Sequence, residues 1–330
     1  MATAENSQHG ASWVSVDDYQ YPQGWLEPAQ SDQRTRWCCE QLEEGGILYF
    51  KGIPFDFPDA DREFLLSQKQ SESNLHKNIS YRPKQDVIRG LKSVSPEEMQ
   101  RLQAIMRNYS AQVTQFLAQV LKPYAPHWSL DFASFRPEEE EGRDLSVHKR
   151  NDLLHVDAFP TRPTRGGRIL RVFTNINPQH PRVWLTTDRF EALAKQYAED
   201  AGLKKFAAQS FTPGKTSGGP LAAIKRAVGM KTPDHTPYDH FMLHFHDYLK
   251  ENSDFQQNTP KIRTDFPPLS TWMVFTDSVP HAVLSGQYAL EQTFIIPVRA
   301  LIHPEKSPIG VLENLTGKPL GEGPLSQKAA

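Results

Sequence analysis

The sequence runs to 330 residues with a formal net charge of −2, 38% hydrophobic and 23% charged residues, 26 prolines and two cysteines. That is enough apolar material for a core, and it argues against a broadly disordered chain, an array of long helical repeats and a basic nucleic-acid binder, so no nucleic acid is expected as a partner. The adjacent Cys38 and Cys39 provide no disulfide framework, which fits a reducing compartment.

The first ten residues lack a basic start followed by an apolar stretch, and no run approaches the roughly 18 apolar residues of a spanning helix. A cytoplasmic protein is expected, or one held at a membrane surface by something weaker than a span. Gly45-Gly46 lead into Ile47, Leu48, Tyr49 and Phe50, a strand-like run closed by Lys51-Gly52-Ile53-Pro54. The clearest helix begins at Ser95. Ser95 is the candidate N-cap, Pro96 takes the first helical position and Glu98 completes a capping box. Apolar residues then recur at helical spacing from Met99 to Leu121, until Lys122-Pro123 ends the pattern. Residues 138 to 141 are four consecutive glutamates, which read as a solvated loop.

Residues 1–125 mix helices with short strands and read as support. Residues 145–187 and 266–304 change to short strands. Between them, residues 188–265 read as a helical, loop-rich insertion with a break at Gly214 to Pro220. The layout predicts one domain over 1–330: a mainly β core with flanking helices, folded as an antiparallel double-stranded β-helix (a cupin-like jelly roll).

The chemistry concentrates in two places. His155 and Asp157 are two apart, so in a strand they project from one face. His281 follows the apolar run Thr271–Phe275 and the turn Thr276-Asp277-Ser278-Val279-Pro280, which presents it at the exit of the turn. Two imidazoles and one carboxylate leave three adjacent positions open on an octahedral metal, the facial arrangement of non-haem Fe(II) oxygenases. An isolated His-X-Asp is common by chance; the strand after it and the segment closing on His281 give it weight.

The segments HVDAFPTRPTRGGRILRVFTNINP and MVFTDSVPHAVLSGQYALEQTF resemble the core of the Fe(II)/2-oxoglutarate dioxygenase superfamily. From about Gly45 to about Pro304 the arrangement resembles the bacterial Kdo hydroxylases, which convert the 3-deoxy-octulosonic acid (Kdo) of lipopolysaccharide to its 3-hydroxylated form, Ko. The resemblance implies Fe(II), 2-oxoglutarate and dioxygen as cofactors, with His155, Asp157 and His281 as metal ligands. It implies a Kdo-containing lipid A or lipopolysaccharide precursor as partner, met at the cytoplasmic face of the inner membrane.

2-Oxoglutarate needs a cation for its distal carboxylate, preferably a guanidinium fork. The superfamily often places one about ten residues after the distal histidine. Here that neighbourhood is Tyr288 to Thr293, without a cation. Strand parity offers a replacement, because Arg171, Phe173, Asn175 and Asn177 share the face opposite Leu170, Val172 and Ile176. Arg171 is the first candidate, with Arg299 in reserve. Asn175 and Gln292 are further cosubstrate candidates, and Arg168 is read as an outer residue. For an anionic sugar the candidates are Arg136, Trp184 and Arg162, amid basic residues dense around the motif.

Other signals are set aside. Pro213-Gly214-Lys215-Thr216 lacks the earlier glycine of a phosphate loop, and His240, His244 and His246 lack the zincin glutamate and read as structural or surface residues. Residues 221–231, if helical, would be apolar on one side and basic on the other, which suits an anionic membrane surface. Two rival readings remain. One is a cupin-like sugar-binding or isomerase module with a non-redox metal; the other is a catalytically silent scaffold at the membrane.

Overall fold

The computed structural model describes residues 13–16, 28–68, 78–91, 95–209 and 234–322. The segments at 213–216 and 221–231 lie outside the described residues.

Eleven strands among the described residues form two sheets. The larger has the order β1-β2-β9-β6-β11-β5-β3-β4, where β1 is Trp13–Ser15, β2 Ile47–Phe50, β3 Ile79–Arg82, β4 Val87–Arg89, β5 Ser129–Arg136, β6 Arg168–Asn175, β9 Ser270–Phe275 and β11 Ala289–Ile296. Its pairs are antiparallel except β1 with β2. The smaller has the order β10-β7-β8, from His281–Ser285, Arg182–Thr186 and Ile262–Phe266. Facing side chains of the two sheets form an aromatic core of Tyr49, Phe173 and Trp272 against Trp184 and Phe266. This is the jelly roll expected from the strand pattern.

The helices cover the outer faces. They are α1 (Pro28–Glu43), α2 (Asp59–Leu66), α3 (Pro96–Val120), α4 (Phe190–Tyr197), α5 (Leu203–Ala207), α6 (Pro237–Glu251), α7 (Ser253–Asn258) and α8 (Pro308–Thr316). Helix α3 starts as its sequence dictates: Ser95 Oγ accepts from Glu98 N at 3.1 Å, and Glu98 Oε2 accepts from Ser95 N at 3.0 Å. Leu102, Ile105, Met106, Tyr109, Val113 and Leu117 bury its apolar stripe, packed in one cluster with Leu170, Val172, Met273 and Phe275 of the larger sheet. Cys38 and Cys39 are free and buried, and burial pushes the Cys38 thiol up to about 12.

Four expectations change here. The strands β3, β4 and β5 extend the larger sheet beyond β11, so residues before 145 supply sheet as well as support. β8 begins at Ile262, inside the segment read as insertion. The glutamate run is not a solvated loop throughout, because Glu140 is 7% exposed and accepts a hydrogen bond from Asn151 Nδ2 at 3.1 Å. It also pairs with Arg182, Arg136 and Arg143. Arg168 is likewise not an outer residue. It does lie on the face opposite Arg171, but helices cover that face. It is fully buried, with Nε 2.9 Å from Asp277 Oδ2 and its guanidinium 4.0 Å from the Phe275 ring.

Candidate metal centre

His155 and Asp157 sit on an extended segment at the edge of the smaller sheet, not in a regular strand. His155 and His281 exchange backbone hydrogen bonds, N to O at 3.1 Å and O to N at 2.9 Å. Asp157 N donates to Thr276 O at 2.8 Å, which ties the segment to the end of β9. The two-residue spacing still puts both side chains on one side. His281 opens β10 at the exit of its turn, as the sequence predicts.

The three side chains converge, with ligand atoms within 4.8 Å of one another. His155 Nε2 lies 3.8 Å from Asp157 Oδ1, and His281 Nε2 lies 4.0 Å from Asp157 Oδ2. Each histidine donates its Nδ1–H to a nearby carbonyl, His155 to Leu153 O at 2.7 Å and His281 to Val279 O at 2.9 Å. That fixes the tautomer and leaves each Nε2 lone pair for a metal. Burial first, then its basic neighbours, pushes the His155 pKa well below the usual range; burial also lowers that of His281. Burial alone would raise the Asp157 carboxyl, but Arg171 and the two imidazoles hold it well below the carboxylate range. Two neutral imidazoles and one carboxylate are the protonation states that metal binding requires. The Trp184 ring stacks on His281 at 5.0 Å and 21°.

Among the described residues no strand borders the outer edge of the ligand segment; side chains of α6 and α7 take that role. Gln256 Oε1 accepts from Leu154 N at 3.0 Å, and its Nε2 donates to Leu154 O at 2.9 Å. His246 Nδ1–H donates to Val156 O at 2.7 Å, and its ring meets His155 edge-on at 4.9 Å. Lys250 Nζ donates to His148 O at 3.0 Å, and burial lowers its pKa to about 8. His246 is therefore the structural member of the histidine trio, while His244 is exposed. A Gln256→Ala variant is expected to bind cobalt(II) about 10- to 100-fold more weakly, the range for groups that orient a ligand. Titration of the metal-free protein measures this, and unchanged affinity would reject the orienting role.

A buried chain of alternating charge leads into the centre. Arg182 Nη2 is 3.2 Å from Glu140 Oε1, Arg136 Nη1 is 3.5 Å from the same oxygen, and Arg136 Nη2 donates to Glu291 Oε2 at 2.7 Å. Arg171 Nε then lies 3.4 Å from Glu291 Oε1 and 3.3 Å from Asp157 Oδ2. Burial opposes ionisation of Glu140, but Arg182 and Arg136 outweigh it and hold its carboxyl at about 2. Arg171 thus reaches the metal centre as strand parity predicts. Its charge is already matched at Nε, and neither terminal nitrogen makes a hydrogen bond with a described residue.

The remaining candidates divide. Asn175 is 1% exposed and is spent on local structure: its Nδ2 donates to His180 O at 3.0 Å and Pro267 O at 3.1 Å, and its Oδ1 accepts from Asn177 N at 3.1 Å. Gln292 points to the opposite side of the larger sheet from Arg171, because its partner on β6 is Val172. There its Nε2 donates to Asp131 O at 3.0 Å, across the register shift between β5 and β11. Arg299 is exposed on a turn beyond β11. None of these three placements sets the residue's polar group beside Arg171 at the metal centre. Trp184 is at the site but 1% exposed, so it backs His281 instead of offering a face at the mouth; its Nε1–H has no partner among the described residues. Arg136 is turned inward onto Glu291. Arg162 stands at the mouth with its side chain 33% exposed, paired with Asp131 at 3.1 Å.

Glu291 was not among the candidates. It is the carboxylate that holds Arg171 and Arg136 together. Its registry opposite Phe173 of β6, on the Arg171 face, is the signal that could have found it.

Two imidazoles and a carboxylate meeting between the sheets of a jelly roll, with a guanidinium beside them, define a non-haem Fe(II)/2-oxoglutarate-dependent dioxygenase. Residues 25–319 match the family model for 3-deoxy-D-manno-oct-2-ulosonic acid (Kdo) hydroxylase. The chain belongs to the Kdo hydroxylase family.

Solved structures of the Kdo hydroxylase KdoO, described as a non-haem Fe(II) α-ketoglutarate-dependent dioxygenase, are similar over most of their length. The apo form is 36% identical with a TM-score of 0.75, covering 88% of this chain and 92% of that one. The complex with α-ketoglutarate and Fe(III) is 35% identical with a TM-score of 0.74 and the same coverage. The cobalt(II) complex is 36% identical with a TM-score of 0.76, covering 89% of this chain and 93% of that one. No curated protein matches the chain.

Proposed function

We propose that this protein is an Fe(II)/2-oxoglutarate-dependent hydroxylase of Kdo, which it converts to Ko by 3-hydroxylation. The observation that carries the reading is the convergence of His155, Asp157 and His281 at one buried point in a chain of the Kdo hydroxylase family. The two Nε2 atoms and the Asp157 carboxylate would hold the iron. Bound iron supplies the activation of dioxygen: one oxygen atom enters a substrate C–H bond, and the other leaves in succinate as 2-oxoglutarate loses carbon dioxide.

The protein's own groups do the rest. The Nδ1–H bonds to Leu153 O and Val279 O keep both imidazoles neutral and aimed. The Arg171 fork would receive the distal carboxylate of 2-oxoglutarate. The wall of Phe173, Trp184, Phe266 and Trp272 keeps water from that side of the site. Arg162 would meet an anionic group of the substrate at the mouth.

The substrate form in this reading is Kdo linked to lipid A or a lipopolysaccharide precursor, met at the cytoplasmic face of the inner membrane. No helix among the described residues is long and apolar enough to cross a membrane. The test is mass spectrometry of lipopolysaccharide from cells with and without the gene, joined to a succinate assay on the purified protein. A gain of one oxygen atom on the Kdo region is expected. Unaltered Kdo, with no succinate formed from Kdo acceptors, would overturn the reading.

A further inference from the structure

A ladder of alternating guanidinium groups and phenyl rings runs outward from the metal centre. Arg171, beside Asp157, lies 5.5 Å from the Phe159 ring. Arg162 lies 4.4 Å from that same ring and 4.0 Å from the Phe132 ring. Arg82 lies 5.0 Å from Phe132. Phe159 stands two residues beyond Asp157, on the ligand segment itself. Phe132 and Arg82 come from β5 and β3, neighbouring strands of the larger sheet.

The charges along the ladder do not balance. Arg171 has Asp157 and Glu291, and Arg162 has Asp131. Arg82 makes no ion pair or hydrogen bond with a described residue, and its Nε is buried without a partner, as is that of Arg162. Burial and the positive charges of Arg171 and Arg82 lower the Arg162 pKa, against the pull of Asp131. Stacking on aromatic faces holds guanidinium planes in fixed orientations while leaving their N–H edges free for an oxyanion. Two cations crowded on one ring, one of them without a counter-ion among the described residues, make a site whose repulsion a ligand oxyanion would relieve.

We propose that Arg82 and Arg162, both held against Phe132, form a second anion site at the mouth, for an oxyanion of the substrate other than the carboxylate of the sugar being oxidised. The ligand is a carboxylate or a phosphate monoester on the same molecule. The site rests on the Kdo hydroxylase reading and adds specificity to it: it selects acceptors carrying at least two acidic groups at the ladder's spacing. Arg82 plays no part in the metal centre, so its replacement leaves the chemistry at the iron unchanged.

The experiment compares the wild-type enzyme with Arg82→Met, which keeps an aliphatic stem on Phe132, and with Arg82→Lys, which keeps charge without the fork. Acceptors are free Kdo, a Kdo disaccharide without phosphate, and Kdo-bearing lipid A with and without its phosphates. In Arg82→Met the KM for acceptors with the second oxyanion rises at least about tenfold, the worth of one charge-assisted bidentate contact. kcat and the KM for free Kdo stay as in the wild type, and Arg82→Lys recovers part of the loss. A loss already seen with the disaccharide assigns a carboxylate; a loss confined to phosphorylated acceptors assigns a phosphate. KM values unchanged for every acceptor, or raised equally for free Kdo, would overturn the site.

Failure of the parent reading looks different, because the wild type then oxidises no Kdo acceptor. In that case inorganic phosphate titrated into the metal-free full-length proteins decides. Weaker binding to Arg82→Met than to wild type supports the site, and equal binding removes it.

Discussion

Replacing Asp157 by alanine is expected to abolish hydroxylation and to weaken divalent-metal binding by more than about a hundredfold, beyond the 10–100-fold typical of groups that only orient a ligand. The carboxylate faces both Nε2 atoms, at 3.8 and 4.0 Å, and no other side chain among the described residues closes the set. The fold is expected to survive. Asp157 holds its place in the sheet through a backbone bond, N to Thr276 O at 2.8 Å, which alanine keeps. Arg171 loses one of its two counter-charges but retains Glu291 at 3.4 Å, and Glu291 is itself held by Arg136 at 2.7 Å. Breaking a buried ion pair outright costs about 3–5 kcal/mol, but here the charge keeps a partner. Cobalt(II) titration, succinate formation and thermal melting measure the three parts. An Asp157→Ala protein that binds cobalt(II) as tightly as the parent would reject the metal assignment. One that melts far below the parent would show the carboxylate carrying the fold instead.

The parts of this site that were legible in the sequence are those whose signal is local or strictly periodic. His155 and Asp157 declare themselves by a two-residue spacing that survives even though the segment is an irregular edge and not a regular strand. Arg171 follows from parity along β6, where Leu170 and Val172 mark the opposite face. His281 follows from an apolar strand with a turn after it. Helix α3 is written twice over, in its capping box and in its stripe.

What was not legible is set by long-range pairing. In β11, seven of eight residues are buried because helices cover one face of the larger sheet and the smaller sheet packs on the other. A strand buried on both faces shows no alternation of polar and apolar residues, so its phase cannot be read. The sequence therefore offers Gln292 as a cosubstrate candidate, whereas Glu291 is the residue on the Arg171 face. The same coverage buries Arg168 on the face expected to be outer. Glu140 sits in a glutamate run whose composition reads as solvent-exposed. Only the fold brings Arg182 and Arg136 to it, from strands of different sheets. The Gln256 contact to Leu154 and the His246 contact to Val156 bridge 102 and 90 residues, respectively, and leave no pattern in the chain.

That charge chain gives the second large effect. An Arg171→Met variant is expected to raise the KM for 2-oxoglutarate at least about tenfold, since a charged, forked partner of a carboxylate contributes about 1.5–3 kcal/mol. The argument rests on how Arg171 is held. Asp157 and Glu291 hold carboxylate oxygens 3.3 and 3.4 Å from Nε and match its charge, and neither terminal nitrogen makes a hydrogen bond with a described residue. Arg136 cannot take over, because its terminal nitrogens are committed to Glu291 and Glu140. Arg299 cannot either, being exposed beyond the end of β11. Lysine at position 171 would keep the charge but lose the fork, so Arg171→Lys should fall between the two, and Arg299→Met should behave as the parent. Steady-state kinetics with 2-oxoglutarate and the sugar varied in turn separate the roles. If Arg171→Met leaves the 2-oxoglutarate KM unchanged and raises that of the sugar, the guanidinium belongs to the substrate, and the cosubstrate must find its cation elsewhere in the barrel.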